Sequence, residues 1–306
     1  MLPRRALSND LLNGCHDLIS GVLPSYGYKP SLAAGAVFCV LFFVLFIGHI
    51  FRAFQFRKWT SYVLATGALV EFLGWAGRTW SSQCPYNQSA FLMQITTLVI
   101  APVFFAAACY LVLGQLIMRH GAQYSLLRPR LYLWIFCTGD VIALLVQAAG
   151  AGIASHEFNE LKGDTTRGTH IVLGGLAFQL LSMSAFIICF AVYLFRSHGS
   201  PTPRAETLVV FATITSIVVI YIRCVYRTAQ LAQGWTGYLS RHEGFFVGLD
   251  AAMMVIAVAV YNIFDPASLL QSMGEETDVT AGQGGNVFAL GGRKHNSGEY
   301  VTSYDE

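Results

Sequence analysis

Arg223 and Arg227 stand four residues apart in IRCVYRTAQ, Ile222 to Gln230, directly behind the apolar run LVVFATITSIVVIY. A guanidinium is always charged and presents a planar fork that suits oxyanions. At the end of such a run it calls for acids nearby. Glu71, Asp140 and Asp250 also fall inside long apolar stretches, as does Arg78, and Glu243 stands at the start of the stretch that holds Asp250. A charge inside a membrane span is costly unless paired or hydrated. Three arginines against three acids, with Glu243 at the border, is the near-neutral set that a buried cluster requires. The chemistry open to it is the binding of a charged head group: an amine on a carboxylate, a phosphate or hydroxyl on a guanidinium. The competing role for the same residues is to lock helices together by ion pairs, or to snorkel from a helix end, which Arg227 is placed to do.

Spacing assigns these side chains to single helical faces. Residues four or seven apart lie on the same side of a helix. Glu71 and Arg78 are seven apart, as are Asp140 and Gln147, and Glu243 and Asp250. Arg223, Arg227 and Gln230 follow a four-then-three pattern. Each of these helices therefore carries one polar stripe.

The elements that must position the stripes are membrane helices. Of 306 residues, 55% are hydrophobic and 12% charged, against roughly 25% charged in a soluble domain. A spanning helix needs about 20 mostly apolar residues. Seven stretches qualify: Ser31–Phe51, Thr60–Trp80, Ala90–Met118, Leu131–Ser155, Gly168–Phe195, Thr207–Ala229 and Gly244–Phe264. The expected architecture is an all-α, polytopic membrane protein with seven transmembrane helices. Residues 1–30 read as a short extracellular tail, 31–264 as the helical domain, and 265–306 as a disordered cytoplasmic tail open to a cytoplasmic partner. The tail is rich in Gly, Ser, Asn, Asp and Glu and has too little apolar surface to fold. Residues 1–30 lack the apolar core of a cleaved signal peptide.

Basic residues in short loops set orientation. The first, third and fifth loops together hold eight Lys and Arg; the second, fourth and sixth hold three. This places the N-terminus outside and the C-terminus in the cytoplasm, with Arg4, Arg5 and Lys29 arguing mildly the other way. At about 1.5 Å per residue, Glu71 and Asp140 fall near mid-membrane. Arg78, Arg223, Arg227, Glu243 and Asp250 fall in the outer half. The expectation is a polar pocket opening outward, with Asp140 as a candidate proton relay.

Other features are local. Asn87-Gln88-Ser89 is a glycosylation sequon in the second, outer loop. Five of the seven cysteines lie in spans; Cys15 and Cys84 fall outside, where disulfides persist, and either bridge or remain separate thiols. Pro102 removes a backbone donor from the third helix and marks a kink or hinge. Gly174 and Gly175 allow close helix approach. Gln147 and Gln179 suit bonds between helices as well as contacts to a ligand. His49 and His170, at span ends, suit interfacial hydrogen bonds.

Absences narrow the class. A net charge of +2 without a basic patch gives nucleic acid no footing. No phosphate-binding GxxxxGK[ST] occurs, nor HExxH, nor CxxC. The lysines, Lys29, Lys58, Lys162 and Lys294, all lie outside the spans, so retinal has no Schiff-base site. GQLIMRH and YNIFDPAS differ from the usual helix-end motifs of G-protein-coupled receptors. Neither a metal, a cofactor nor an enzymatic activity is expected.

Several stretches together resemble the fungal lipid-translocating exporter family, the RTA-like group associated with aminocholesterol and sphingoid long-chain-base resistance. They are SYGYKPS, EFLGWAGR, APVFFAAACYLVLGQLI, GDVIALLVQAAGAG, HIVLGGLAFQ and IRCVYRTAQLAQGWTGYLSRHEGFFVGLDAAMM, spread from Tyr28 to Pro266. The resemblance implies a fungal seven-helix protein of the plasma membrane that moves amphipathic lipids, or regulates that movement. Carried over by motif, it implies Glu71, Arg78, Asp140, Gln147, Gln179, Arg223, Arg227, Glu243 and Asp250 as the polar signature. This chain departs from the family with Gln230 in place of Glu and Gln115 in place of Arg. The expected partner is an amphipathic lipid with a charged head. The alternatives are a seven-helix receptor or regulator of lipid asymmetry, and an intramembrane lipid hydrolase.

Overall fold

Lipid offers backbone groups no hydrogen-bond partner, so a spanning segment must satisfy its own N–H and C=O groups, as a helix does. The apolar runs accordingly form continuous helices in the computed structural model. It describes residues 14–16, 19, 28–160, 165–199, 203–234 and 237–269, with the backbone alone over 155–160. No strand occurs among the described residues. The helices are α1 (Leu32–Phe56), α2 (Trp59–Gln83), α3 (Gln88–His120), α4 (Pro129–Glu160), α5 (Thr166–Ser197) and α6 (Arg204–Ala232). The last, α7, runs from Glu243–Phe246 through a π-helical turn, Val247–Ala251, into Ala252–Ile263.

Six of these seven are long and apolar enough to cross a membrane. The exception is α2, whose serines, threonines, Glu71 and Arg78 lower its hydropathy. Yet α2 packs between α1 and α3, and its polar face is buried: Thr60, Ser61, Glu71, Arg78, Ser81 and Ser82 all point inward. The outer surface is apolar instead. Val40, Val44, Phe51 and Phe54 line the exposed side of α1, with Trp134, Leu145, Leu181 and Phe195 on α4 and α5. Inward apolar side chains form one core around Trp75, Phe105, Tyr110, Phe186 and Tyr261.

Close helix contacts need glycine. A Cβ on Gly74 would lie 2.3 Å from Leu98 Cδ2, so the Leu98 side chain of α3 packs directly on the α2 backbone there. A Cβ on Gly168 would lie 2.2 Å from the backbone N of Ala154, which fixes α5 against α4. Gly174, by contrast, faces open space, while Gly175 packs against Gln147.

The α2–α3 turn is held to the segment before α1. Cys15 is joined to Cys84 by a disulfide, and the Tyr86 hydroxyl accepts from Ile19 N at 3.0 Å. Asn87 caps α3, its Oδ1 accepting from Ala90 N at 3.0 Å. At the opposite end, Arg52 donates to the last carbonyls of α7, Tyr261 at 3.4 Å and Asn262, and His120 pairs with Glu206.

Two expectations change. His49 is fully buried rather than interfacial, and its Nε2 bonds Val258 O at 3.2 Å. Helical structure also resumes past Phe264 instead of giving way to a tail: Asp265 Oδ2 accepts from Ser268 N at 3.1 Å, with Pro266 just inside the turn, a favoured cap sequence. Residues 1–13 and 270–306, which carry most of the two expected tails, lie outside the described residues.

Candidate functional site

The polar stripes of α2, α6 and α7 meet near the end of the bundle that carries Cys84. Asp250 is the hub. Arg227 grips it with both arms of its fork, Nε to Oδ1 at 2.8 Å and Nη2 to Oδ2 at 3.0 Å. Arg223 Nε lies 2.9 Å from the same Oδ1, a charge contact without hydrogen-bond alignment. Asp250 sits within the π-helical turn of α7. Such a turn adds a residue to the helical repeat, so Glu243 and Asp250 do not share the plain seven-residue register of an α-helix.

Arg223 finds its hydrogen-bond acceptor on α3. Its Nη2 donates to the carbonyl of Leu98 at 2.6 Å. In an α-helix that carbonyl would accept from the N–H four residues on, which is Pro102 and has none. The proline thus opens an acceptor, and the arginine takes it. Pro102 itself lies inside a helix that is unbroken from Gln88 to His120.

A second layer lies toward the Cys84 end. Arg78 Nη2 donates to Glu243 Oε1 at 2.6 Å and to the Tyr28 hydroxyl at 3.0 Å. Both carboxylate oxygens of Glu243 lie 3.1 Å from the backbone N of Ser31. The guanidinium faces three rings, with Cζ 4.6 Å from the centroid of Phe246, 5.8 Å from Trp75 and 5.9 Å from Tyr28. Phe246 also lies beneath Arg227, at 5.2 Å, and so joins the two layers.

Glu71 differs from the other acids of the cluster. It is 2% exposed, two turns deeper on α2 than Arg78, and in electrostatic range of Arg223, Asp250 and Arg227. Among the described residues no arginine, lysine or histidine nitrogen lies within 4.0 Å of it. The buried Trp75 indole N–H, one turn away on α2, faces this carboxyl group at a geometry short of a regular hydrogen bond.

Not every stripe joins this cluster. Asp140 is buried on α4 and accepts from the Tyr110 hydroxyl at 3.0 Å, in a pocket walled by Phe136 and Phe186. Gln147 donates to Gln179 at 3.2 Å, which ties α4 to α5. The two glutamines expected to stand apart from the resembled family are both bonded. Gln230 Oε1 accepts from Arg227 at 3.4 Å, and Gln115 donates to Thr60 at 3.0 Å. With Gln at 230, the acid that holds Arg227 comes from α7 rather than from its own helix.

Sequence reasoning passed over Tyr28, Trp75, Phe246 and Tyr110. Helical spacing held a signal for two of them. Trp75 stands between Glu71 and Arg78 on one face, and Phe246 is one turn from Glu243. Tyr110 and Tyr28 have no such local mark. Among the described residues, no three His, Cys, Asp or Glu side chains gather as a metal site needs.

A family model described as RTA1 like protein matches residues 64–273, which include every cluster residue from Glu71 to Asp250. The chain is 31% identical over 294 residues to the sphingoid long-chain base transporter RSB1 of Saccharomyces cerevisiae, covering 84% of this chain and 77% of that protein. It is 26% identical over 279 residues to protoporphyrin uptake protein 1 of the same yeast, covering 78% of this chain and 90% of the relative. It is 25% identical over 283 residues to protein RTA1, covering 82% and 88%. No solved structure matches the chain.

Proposed function

The chain belongs to the RTA1-like family and is a multi-pass membrane protein, and on that premise we propose that it translocates amphipathic lipids of the sphingoid long-chain-base type. All seven helices cross the bilayer in this reading, α2 included, since its polar face is turned inward. The N-terminus lies outside and the C-terminus in the cytoplasm, as the basic loops indicate. The membrane is the plasma membrane, and the activity protects the cell from toxic lipids and sterol analogues.

One observation carries the proposal: a buried carboxyl group, Glu71, stands beside the arginine cluster, and among the described residues no cationic nitrogen lies within 4.0 Å of it. A sphingoid base has an amine flanked by hydroxyls on one apolar tail. Its ammonium fits Glu71 without breaking an ion pair of the protein. Its hydroxyl oxygens suit Arg227, whose Nη1 among the described residues is held only by the 3.4 Å bond to Gln230. Asp250 is committed to two arginines and serves as their anchor rather than as a second amine site. Asp140, bonded to Tyr110 away from the cluster, remains the candidate proton relay. The tail leaves between helices into lipid. The test is movement of a labelled sphingoid base by the purified protein in liposomes, with Glu71→Gln as the comparison.

A second reading is a seven-helix receptor or regulator of lipid asymmetry. What favours it is the paired state of the cluster: Arg78 with Glu243, and Asp250 with Arg223 and Arg227. Such pairs can serve as a lock that a bound lipid opens. A transporter moves lipid unaided in liposomes; a regulator leaves it where it is.

A further inference from the structure

The surroundings of Arg78 have the composition of a receptor for an organic cation. A carboxylate and several aromatic faces around one positive group is the arrangement that recognises ammonium ligands. Here Glu243 supplies the carboxylate at 2.6 Å, and Phe246, Trp75 and Tyr28 supply the faces at 4.6, 5.8 and 5.9 Å. Phe38 stacks on Trp75 at 4.6 Å and backs it. The occupant is the protein's own guanidinium. We infer that this cage is a second binding site for the ammonium head of an amphiphile, and that Arg78 is its resident cation, which a ligand must displace.

Access and position support this. Arg78 is 1% exposed, but the Glu243 side chain is 21% exposed, so an incoming cation meets the carboxylate first. Glu71 and Arg78 are seven residues apart on α2, about 10 Å along the axis. An ammonium leaving Glu71 toward the Cys84 end along this face therefore reaches the cage next. While Arg78 fills it, its fixed charge opposes a second cation there. Displaced, the guanidinium can turn to hydroxyl or phosphate oxygens of the same head group, which its fork suits. The site selects by charge: cationic heads compete for the cage, neutral ones do not. The place of the cage on a transport route rests on the proposed function. Its ability to bind a cation does not.

The test uses the full chain in phosphatidylcholine nanodiscs and a probe that is not a sphingoid base. Dodecyltrimethylammonium is titrated against wild type and Arg78→Ala, with dodecanol as the neutral control. Removing the resident cation is expected to tighten binding of the ammonium probe about tenfold and leave dodecanol unchanged. Adding Glu243→Gln or Phe246→Leu to Arg78→Ala should abolish most of that gain. Equal affinity of wild type and Arg78→Ala for the ammonium probe, or an equal gain for dodecanol, overturns the inference. If Arg78→Ala does not fold, Phe246→Leu is read against Arg78→Gln instead. Made together with Arg78→Gln, which removes the charge and keeps the stem, it is expected to undo the tighter binding of the ammonium probe that Arg78→Gln alone gives and to spare dodecanol, and unchanged affinity of Arg78→Gln for both probes overturns the inference. Failure of the protein to move sphingoid bases in liposomes would remove the proposed function and leave this binding result standing.

Discussion

Arg223 donates through Nη2 to the backbone carbonyl of Leu98 at 2.6 Å, joining α6 to α3 at the carbonyl that Pro102 leaves without a helical donor. Three distant stretches of sequence meet in that bond. Asp250 of α7 holds the other side of the same arginine. A buried guanidinium has five donors to place, and a proline that frees an acceptor on the facing helix meets part of that need.

Pro102→Ala tests the link. Alanine restores the N–H that competes for the Leu98 carbonyl, and it is the better helix former. Lipid movement is expected to fall severalfold while the unfolding temperature in detergent holds or rises. A fall in both together would mean that the proline serves stability rather than the placement of Arg223.

The Asp250 hub sets an order of stability. Asp250→Asn leaves two inward guanidiniums facing one another, and loss of one partner of a buried pair costs about 3–5 kcal/mol. Arg227→Ala should cost less, because Asp250 keeps Arg223 and the Arg227 side chain is 18% exposed. Thermal unfolding of the purified variants should rank Asp250→Asn below Arg227→Ala. The reverse ranking contradicts the hub.

Glycine contacts predict a contrast between two helix pairs. A Cβ at Gly74 meets the end of the Leu98 side chain, which can turn aside. A Cβ at Gly168 meets the backbone N and Cα of Ala154, which cannot. Overpacking costs about 1–3 kcal/mol. Gly74→Ala should sit at the low end and Gly168→Ala at or above the high end, read by the same unfolding measurement.

Much of the cluster was legible from residue type alone. An ionisable group in an apolar run is costly enough that its position is informative. That logic picked out Glu71, Arg78, Arg223, Arg227, Glu243 and Asp250, and the structure gathers them. It said less about pairing, because a helical repeat gives the face and not the neighbour. The π-helical turn at Val247–Ala251 has no sequence mark, and it decides how Asp250 is presented. Asp140 met the same criterion as Glu71, but its partner is the Tyr110 hydroxyl, one of many tyrosines in the chain. The polar face of α2 was read as a span from its length, although its hydropathy alone falls short of the other six helices. The Leu98 carbonyl could not be found from side chains at all, since the acceptor is backbone.

The account turns on Glu71, and the most direct measurement is uptake and release of a labelled sphingoid base by liposomes holding the purified protein. Wild type and Glu71→Gln are compared at equal reconstitution and equal unfolding temperature. The account predicts movement by wild type and a loss of about tenfold or more in Glu71→Gln, the scale of a lost charge-assisted hydrogen bond. Equal movement by the two would contradict it and make Glu71 a packing residue. No movement by wild type would favour the receptor reading.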